Sequence, residues 1–302
     1  MNKSEYQKLI REANVFVNSN KLEEAAKCLE KSFEYGVDIN IVLDLGYIYL
    51  DLQKYPRCEE LFSFALHALP SPKGYYGYGL LKERLGLKQE AITNYEEAIK
   101  YDNTPGIVYF DCAHLYDDLG EYEKAKAYYL KAIELKENLF WSNLNLGSIY
   151  ERENNNDLAL KYFQAAYDID PNKPYINFNL GVVYTKLHRK DEALAAYLRE
   201  ATINEHYHFT YYNLGLLYKD EFHDLEKAKE AYLLGLKEEK DNYYIWYNLG
   251  CVYSLLHDYD NAYDCFLYLF YKKKKMFKSI MTDEELKDFR NTPQYAKLCL
   301  LK

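Results

Sequence analysis

The chain has 302 residues, 49% of them hydrophobic and 28% charged, and a net charge of −9 from 38 Lys+Arg against 47 Asp+Glu. That is the balance of a folded protein and not of a disordered one, and it lacks the positive footprint that phosphate binding needs, which argues against nucleic acid. No stretch approaches the ~20 apolar residues of a membrane span, and the N-terminal MNKSEYQKLIREAN has no apolar signal core.

The six cysteines (Cys28, Cys58, Cys112, Cys251, Cys265, Cys299) form no Cys-x-x-Cys pair, so reduced thiols in a cytoplasmic protein are expected. Tyrosine is abundant, at 35 residues, more than a core alone usually needs. Its reading is bulky packing within a repeated unit. Four stretches are near-copies of one another: NLNLGSIY at Asn143–Tyr150, NFNLGVVY at Asn177–Tyr184, YYNLGLLY at Tyr211–Tyr218 and WYNLGCVY at Trp246–Tyr253. Their asparagines, Asn145, Asn179, Asn213 and Asn248, stand 34, 34 and 35 residues apart. A period near 34 signals stacked helix pairs, each unable to bury its apolar face alone.

In chain order, Ser4 with Gln7 reads as a capping box opening the first helix. A second helix follows over Leu22–Tyr35, with Ala25 and Leu29 facing inward. The second unit carries LDLGYIYL, Cys58, Phe62, Ala65 and Pro70. The third opens on Ser71-Pro72 and the fourth on Thr104-Pro105, each an N-cap followed by proline at the first helical position. The fifth unit has Leu146, Gly147, Tyr150, Ala159, Phe163, Ala166 and Pro171; the sixth starts at Pro174. The seventh has one extra residue within KDEFHDL, predicted to sit in the turn between its helices. The eighth runs into Lys272–Lys275, cations that a helix C-terminus favours. Thr282-x-x-Glu285 and Thr292-Pro293 are two further helix starts, and Leu286, Phe289, Tyr295 and Leu298 are expected to cover the last unit's apolar flank.

This pattern resembles tetratricopeptide repeats: Trp-x-x-Leu-Gly-x-x-Tyr, then Ala, a large aromatic, Ala and Pro. The fifth unit fills every slot except the Trp, where Asn143 stands. The resemblance implies an all-α, right-handed superhelical solenoid of about eight helix-turn-helix repeats. The units start near residues 6, 39, 72, 106, 140, 174, 208 and 243 in an array over 1–276, with an end-of-group-like cap over 277–302.

Four residues before each repeated Asn stands an aromatic: Trp141, Tyr175, Phe209 and Tyr244. An i, i+4 pair shares a helix face. The stripe continues through Ser148, Val182, Leu216 and Cys251 to Arg152, Lys186, Asp220 and Leu255. In the family this face lines the concave groove, so the resemblance implies a channel floored by Asn and walled by aromatics. A carboxamide offers two donors and an acceptor, suited to the backbone of an extended peptide, and the row resembles the asparagine ladder in the repeat region of O-linked N-acetylglucosamine transferase. The earlier units have Arg11, Asp44, Gly77 and Asp111 at that slot, which confines any such row to the C-terminal half. The family's clamp for a chaperone's C-terminal carboxylate lacks its Lys/Asn pair here.

Enzyme signals are poor. His206-x-His208 has no Cys/Asp/Glu cluster at ligand spacing, and GYYGYG at Gly74–Gly79 is preceded by no strand. Neither a metal nor a cofactor is expected. The sequence thus reads as a non-enzymatic adaptor that binds an extended segment of a partner protein through Asn145, Asn179, Asn213, Asn248, the four aromatics, Arg152 and Lys186. The alternatives are a homo-oligomeric assembly protein and the targeting subunit of an enzyme on another chain.

Overall fold

The computed structural model describes residues 3–301. Among them every regular element is a helix, and the fold class is an all-α solenoid of consecutive helix-turn-helix units. The pairs are α1 (Lys3–Asn18) with α2 (Leu22–Ser32), α3 (Ile39–Asp51) with α4 (Tyr55–Ala68), α5 (Pro72–Arg84) with α6 (Lys88–Ile99), and α7 (Gly106–Asp118) with α8 (Tyr122–Glu134). They continue as α9 (Leu139–Arg152) with α10 (Asn156–Ile169), α11 (Ile176–Lys186) with α12 (Lys190–Ile203), α13 (His208–Asp220) with α14 (Leu225–Glu238), and α15 (Tyr243–Leu255) with α16 (Tyr259–Lys272). A tail of short helical turns ends in α18 (Pro293–Cys299), after the four-residue α17 (Lys274–Phe277). The chain forms two compact units, one ending at Ser142 and one beginning at Asn143.

Within a pair, the first helix places a small residue where the second places a ring. A Cβ added at Gly181 would lie 2.5 Å from the Tyr197 ring, and one at Gly215 only 2.2 Å from the Tyr232 ring. The rings are fully buried, with the alanines that flank them on the same inward stripe. In the first unit, Ala25, Leu29, Leu43, Leu45, Phe62 and Ala65 form such a core. In the second, the tail's Leu286, Phe289 and Leu298 join Cys251, Phe266 and Leu269 of the eighth pair.

The tyrosines do more than fill space. Tyr49 donates to Glu30 Oε1 at 2.6 Å, Tyr95 to Glu83 Oε2 at 2.6 Å, and Tyr116 to Glu96 Oε1 at 2.6 Å. Tyr76 donates to Asp111 Oδ2 at 2.8 Å, Tyr247 to Asp283 Oδ2 at 2.5 Å, and Tyr268 to Asp241 Oδ1 at 2.6 Å. Three of these bonds, at Tyr49, Tyr76 and Tyr116, join one helix pair to the next, and the acidic excess supplies acceptors for the tyrosine excess.

Several helix starts differ from the sequence reading. Ser4 lies inside α1, which already includes Lys3, so it caps nothing. Thr104 turns its hydroxyl back to the carbonyls of Ala98 and Tyr101, closing α6 instead of opening α7, whose cap position is Pro105. The sixth pair opens not at Pro174 but after Tyr175, and Asp283 rather than Thr282 caps the first turn of the tail. Ser71 does accept from the Gly74 amide at 3.1 Å and Thr292 from the Tyr295 amide at 3.2 Å. The extra residue of the seventh pair falls in the four-residue turn 221–224, where α11–α12 and α15–α16 have three.

Two predictions follow from this packing. Gly215→Ala forces a methyl into the Tyr232 ring and should cost roughly 1–3 kcal/mol in urea unfolding. Burial first, and then the hydrogen bond to Glu30, push the Tyr49 phenol from 10.0 up to about 12. The folded state therefore holds the neutral phenol. Its stabilisation is complete below pH 10 and lost as pH rises towards about 12. The melting temperature should fall across that window, and fall less in Tyr49→Phe.

Candidate functional site

The first helices of the second unit carry the asparagine row. Asn179, Asn213 and Asn248 are half-buried on α11, α13 and α15, and Asn145 is half-buried on α9. The aromatics before them are open to solvent: Tyr175 is 43% exposed, Phe209 44% and Tyr244 66%, with Trp141 at 38%. Rings needed only to pack on neighbouring repeats would be covered, so their exposure matters.

The row is neither uniform nor idle. Asn213 Nδ2 donates to its own helix at the Phe209 carbonyl, 2.9 Å away, and Asn248 Nδ2 to the Tyr244 carbonyl, also at 2.9 Å. Burial raises the Tyr212 pKa, and the neighbouring Asn248 amide pulls it partly back. These two carboxamides are thus held in fixed orientations by intrahelical bonds, with part of their donor capacity already used. One turn on, Ser148, Val182 and Leu216 are half-buried, whereas Cys251 is sealed beneath the tail. Arg152 is exposed, and Lys186 of α11 pairs with Glu151 of α9 at 2.5 Å.

Tyr175 departs from the helical stripe. It precedes α11 with φ +74°, a left-handed conformation uncommon for a bulky residue. Its ring meets Tyr207 edge-on at 5.0 Å, and Tyr207 also touches Phe178 and Phe209, so an aromatic cluster bridges the sixth and seventh pairs. What fixes Tyr175 is Glu200, fully buried on α12. Its carboxylate accepts the Tyr175 amide at 2.7 Å, the Phe178 amide at 3.3 Å and Asn204 Nδ2 at 3.3 Å. This carboxylate satisfies orphan amides of α11 from a neighbouring helix, where the dipole favours an anion. Neither Glu200 nor Tyr207 stands out in the repeat pattern. The available signal is that Glu200 completes the inward stripe Ala193, Ala196, Tyr197, with a charge where an apolar residue belongs.

Other candidates do not assemble. His206 Nδ1 lies 2.8 Å from Glu238 Oε2 in an exposed turn, while His208 stacks on Phe209 at 4.1 Å. No group of three His, Cys, Asp or Glu among the described residues could hold a metal ion. A cavity of about 440 Å³ opens between α10, α11 and α12, lined by Tyr167, Asn177, Glu192 and Arg199. It lies away from the asparagine row.

Two family models, both described as tetratricopeptide repeat, match the chain: one at residues 72–105, 108–139 and 243–267, the other at 144–206. Together the matched stretches take up half of the sequence, and the chain belongs to the tetratricopeptide-repeat family. Such repeats are protein-interaction modules. No curated protein matches it. Among solved structures, the C-terminal part of a repeat-containing protein from Cytophaga hutchinsonii is similar with a TM-score of 0.64 at 14% identity, covering 82% of this chain and 98% of that one. YrrB, described as a TPR protein with an unusual peptide-binding site, gives 0.55 at 21% identity, covering 61% and 95%. MamA from Desulfovibrio magneticus RS-1 gives 0.53 at 18%, covering 57% and 96%. At these identities the likeness is one of fold.

The Glu200 cap yields a test. Glu200→Gln removes the charge and one acceptor from three donors and should lower stability by about 1–3 kcal/mol. Urea titration should show that loss, while Phe209→Ala, which trims an exposed ring, should leave the midpoint nearly unchanged.

Proposed function

We propose that this protein is a non-enzymatic adaptor that binds an extended segment of a partner protein along the first helices of its C-terminal repeats. The observation that carries the reading is the recurrence, at one repeat register, of a half-buried carboxamide beside a solvent-exposed aromatic: Asn179 with Tyr175, Asn213 with Phe209, Asn248 with Tyr244. Asn145 with Trp141 extends the pattern on α9. The intrahelical bonds of Asn213 and Asn248 fix each amide group and leave its carbonyl oxygen for a ligand N–H. Backbone recognition of this sort is nearly blind to sequence, so preference falls to the aromatics and to the cations Arg152 and Lys186. The likeness in fold to YrrB supports the reading at the level of the module. Among the described residues no helix is long and apolar enough to cross a membrane, and the reading assigns the protein to the cytoplasm, with residues 277–302 as the cap of the array.

The test is selection of unstructured peptides from a random phage library on the full chain, followed by calorimetric titration of the winners. Each side-chain hydrogen bond is worth about 0.5–1.5 kcal/mol net, so Asn179→Ala/Asn213→Ala should weaken binding about tenfold while leaving the melting temperature in place. Equal affinity for both proteins would move binding off the row. A mass that rises with concentration and ignores the double substitution would favour the homo-oligomeric alternative.

A further inference from the structure

The tail turns an acidic pair into the end of the same helix face. Glu285 accepts from Lys219 Nζ at 2.7 Å through Oε1 and at 2.9 Å through Oε2, and Tyr247 donates to Asp283. The two anchors are unequal in depth. The Lys219 side chain is only 9% exposed, whereas that of Glu285 is 39% exposed. Beside the ammonium opens a cavity of about 360 Å³ lined by Lys219, Asp220, His223, Leu225, Leu255 and Glu285. His223, left-handed like His188 and His257 in the corresponding turns, forms one of its walls.

Lys219 is an anomaly of its slot. In the third pair the residue four positions after the packing glycine is Glu83, which accepts from the buried Tyr95 hydroxyl at 2.6 Å. In the seventh pair that position holds Lys219, and the equivalent Tyr232 hydroxyl is buried with no hydrogen-bond partner. The substitution leaves a polar atom unsatisfied in the core, which core packing alone does not explain. Burial by itself would lower the Lys219 pKa; the bond to Glu285 and the charges of Glu285 and Asp220 outweigh it and hold the group above its ordinary value. It stays cationic.

We infer that Lys219 and the cavity beside it form a carboxylate-binding subsite, which Glu285 fills in cis and an acidic side chain of a peptide ligand takes over. The exchange involves side chains alone. Ile280, Leu286 and Phe289 stay buried and keep the tail in place, while Glu285 swings off into solvent. An ammonium has three donors. Asp220 Oδ1, 3.2 Å away, keeps its charge compensated during the swap, so Lys219 is never left buried and unpaired. The incoming group must itself be a carboxylate, because a neutral one would forfeit the charge-assisted bonds that Glu285 makes. The first helix of a second copy does not fit, since Arg11 stands where Asp283 faces Tyr247. As the biological ligand, an acidic end to the extended segment proposed above rests on that reading; carboxylate binding at Lys219 does not.

The probe is a fluorescein-labelled peptide with the sequence of Ser279–Asp288, SIMTDEELKD, alongside its counterpart SIMTNEQLKD, titrated into the full chain by anisotropy. Wild type should bind the acidic peptide weakly, because Glu285 competes. Glu285→Gln, an exposed change, should bind it about tenfold more tightly, the worth of a charge-assisted bond, and should bind it more tightly than SIMTNEQLKD. Adding Lys219→Met should abolish the gain. If that variant does not fold, Leu255→Glu, which sets a repelling charge on an exposed wall of the cavity, should do the same. Asn179→Ala/Asn213→Ala should leave this binding intact, which separates its failure from failure of the row. A folded Glu285→Gln protein that binds both peptides alike, or whose gain survives Lys219→Met or Leu255→Glu, would overturn the subsite and reduce the tail to an end cap.

Discussion

Six of the eight helix pairs hang on a ring laid over a residue with no side chain. Where Gly181 faces Tyr197 and Gly215 faces Tyr232, the two helices of a pair approach so closely that even a methyl would overlap the ring. That contact fixes the depth of each pair and hence which residues of the first helix point inward and which face solvent. The asparagines and their aromatic companions stand where they do because this packing holds the register. Since the contact recurs at 34 or 35 residues through Gly147, Gly181, Gly215 and Gly250, a position on the outward face of one of these units has its counterpart in the next.

The second layer is polar. A buried phenol needs a partner, and this protein supplies carboxylates: Glu30, Glu83, Glu96, Asp111, Asp241 and Asp283 each accept from a tyrosine. Two of the links share one geometry, Tyr76 to Asp111 and Tyr247 to Asp283, each joining a first helix to the segment that follows it one unit later. The tail therefore presents Asp283 where another unit presents its own Asp or Asn, and packs on the last pair. The arrangement is not free of strain in charge: burial pushes Asp111 up to about 6 despite the hydrogen bond from Tyr76. In the same position Asn248 carries no charge and faces no such penalty, which makes the asparagine version the more neutral surface for a ligand.

Much of this was legible in the sequence because it is periodic. Gly, Ala and the large aromatic recur at fixed offsets, and the structure buries them as that spacing requires. The inserted residue was placed in its turn for the same reason. What periodicity could not convey were interactions between dissimilar positions. Thr104 looks like an N-cap, yet its hydroxyl closes the preceding helix, since a Ser/Thr side chain serves either neighbour and only the backbone path decides. Tyr175 looked like part of a helical stripe, yet a carboxylate from another helix starts α11 one residue later. The asparagines were found as a row, but their bonds to the Phe209 and Tyr244 carbonyls depend on rotamers that a one-dimensional pattern does not contain.

The slot four residues after the packing glycine shows how function enters such a scaffold. It holds Glu83, which accepts from Tyr95; Thr185, whose hydroxyl donates to the Gly181 carbonyl of its own helix; and Lys219, which leaves the Tyr232 hydroxyl unpartnered and turns to the tail. The ring-on-glycine contact beneath is the same in all three, so the fold tolerates acid, hydroxyl or cation without moving a helix. Because each unit touches only its neighbours, such a change is felt within a pair or two and leaves the rest of its unit undisturbed. A repeat array can therefore vary one slot at a time, and the informative positions are those where a unit breaks the local chemistry that its siblings satisfy. Glu200, a charge on an apolar stripe, and Lys219, a cation in a phenol's acceptor slot, are two such breaks. The first is answered by the amides of α11 and serves the fold. The second is answered by Asp220 beside it and by an exposed glutamate from the tail, and it leaves a buried hydroxyl without a partner.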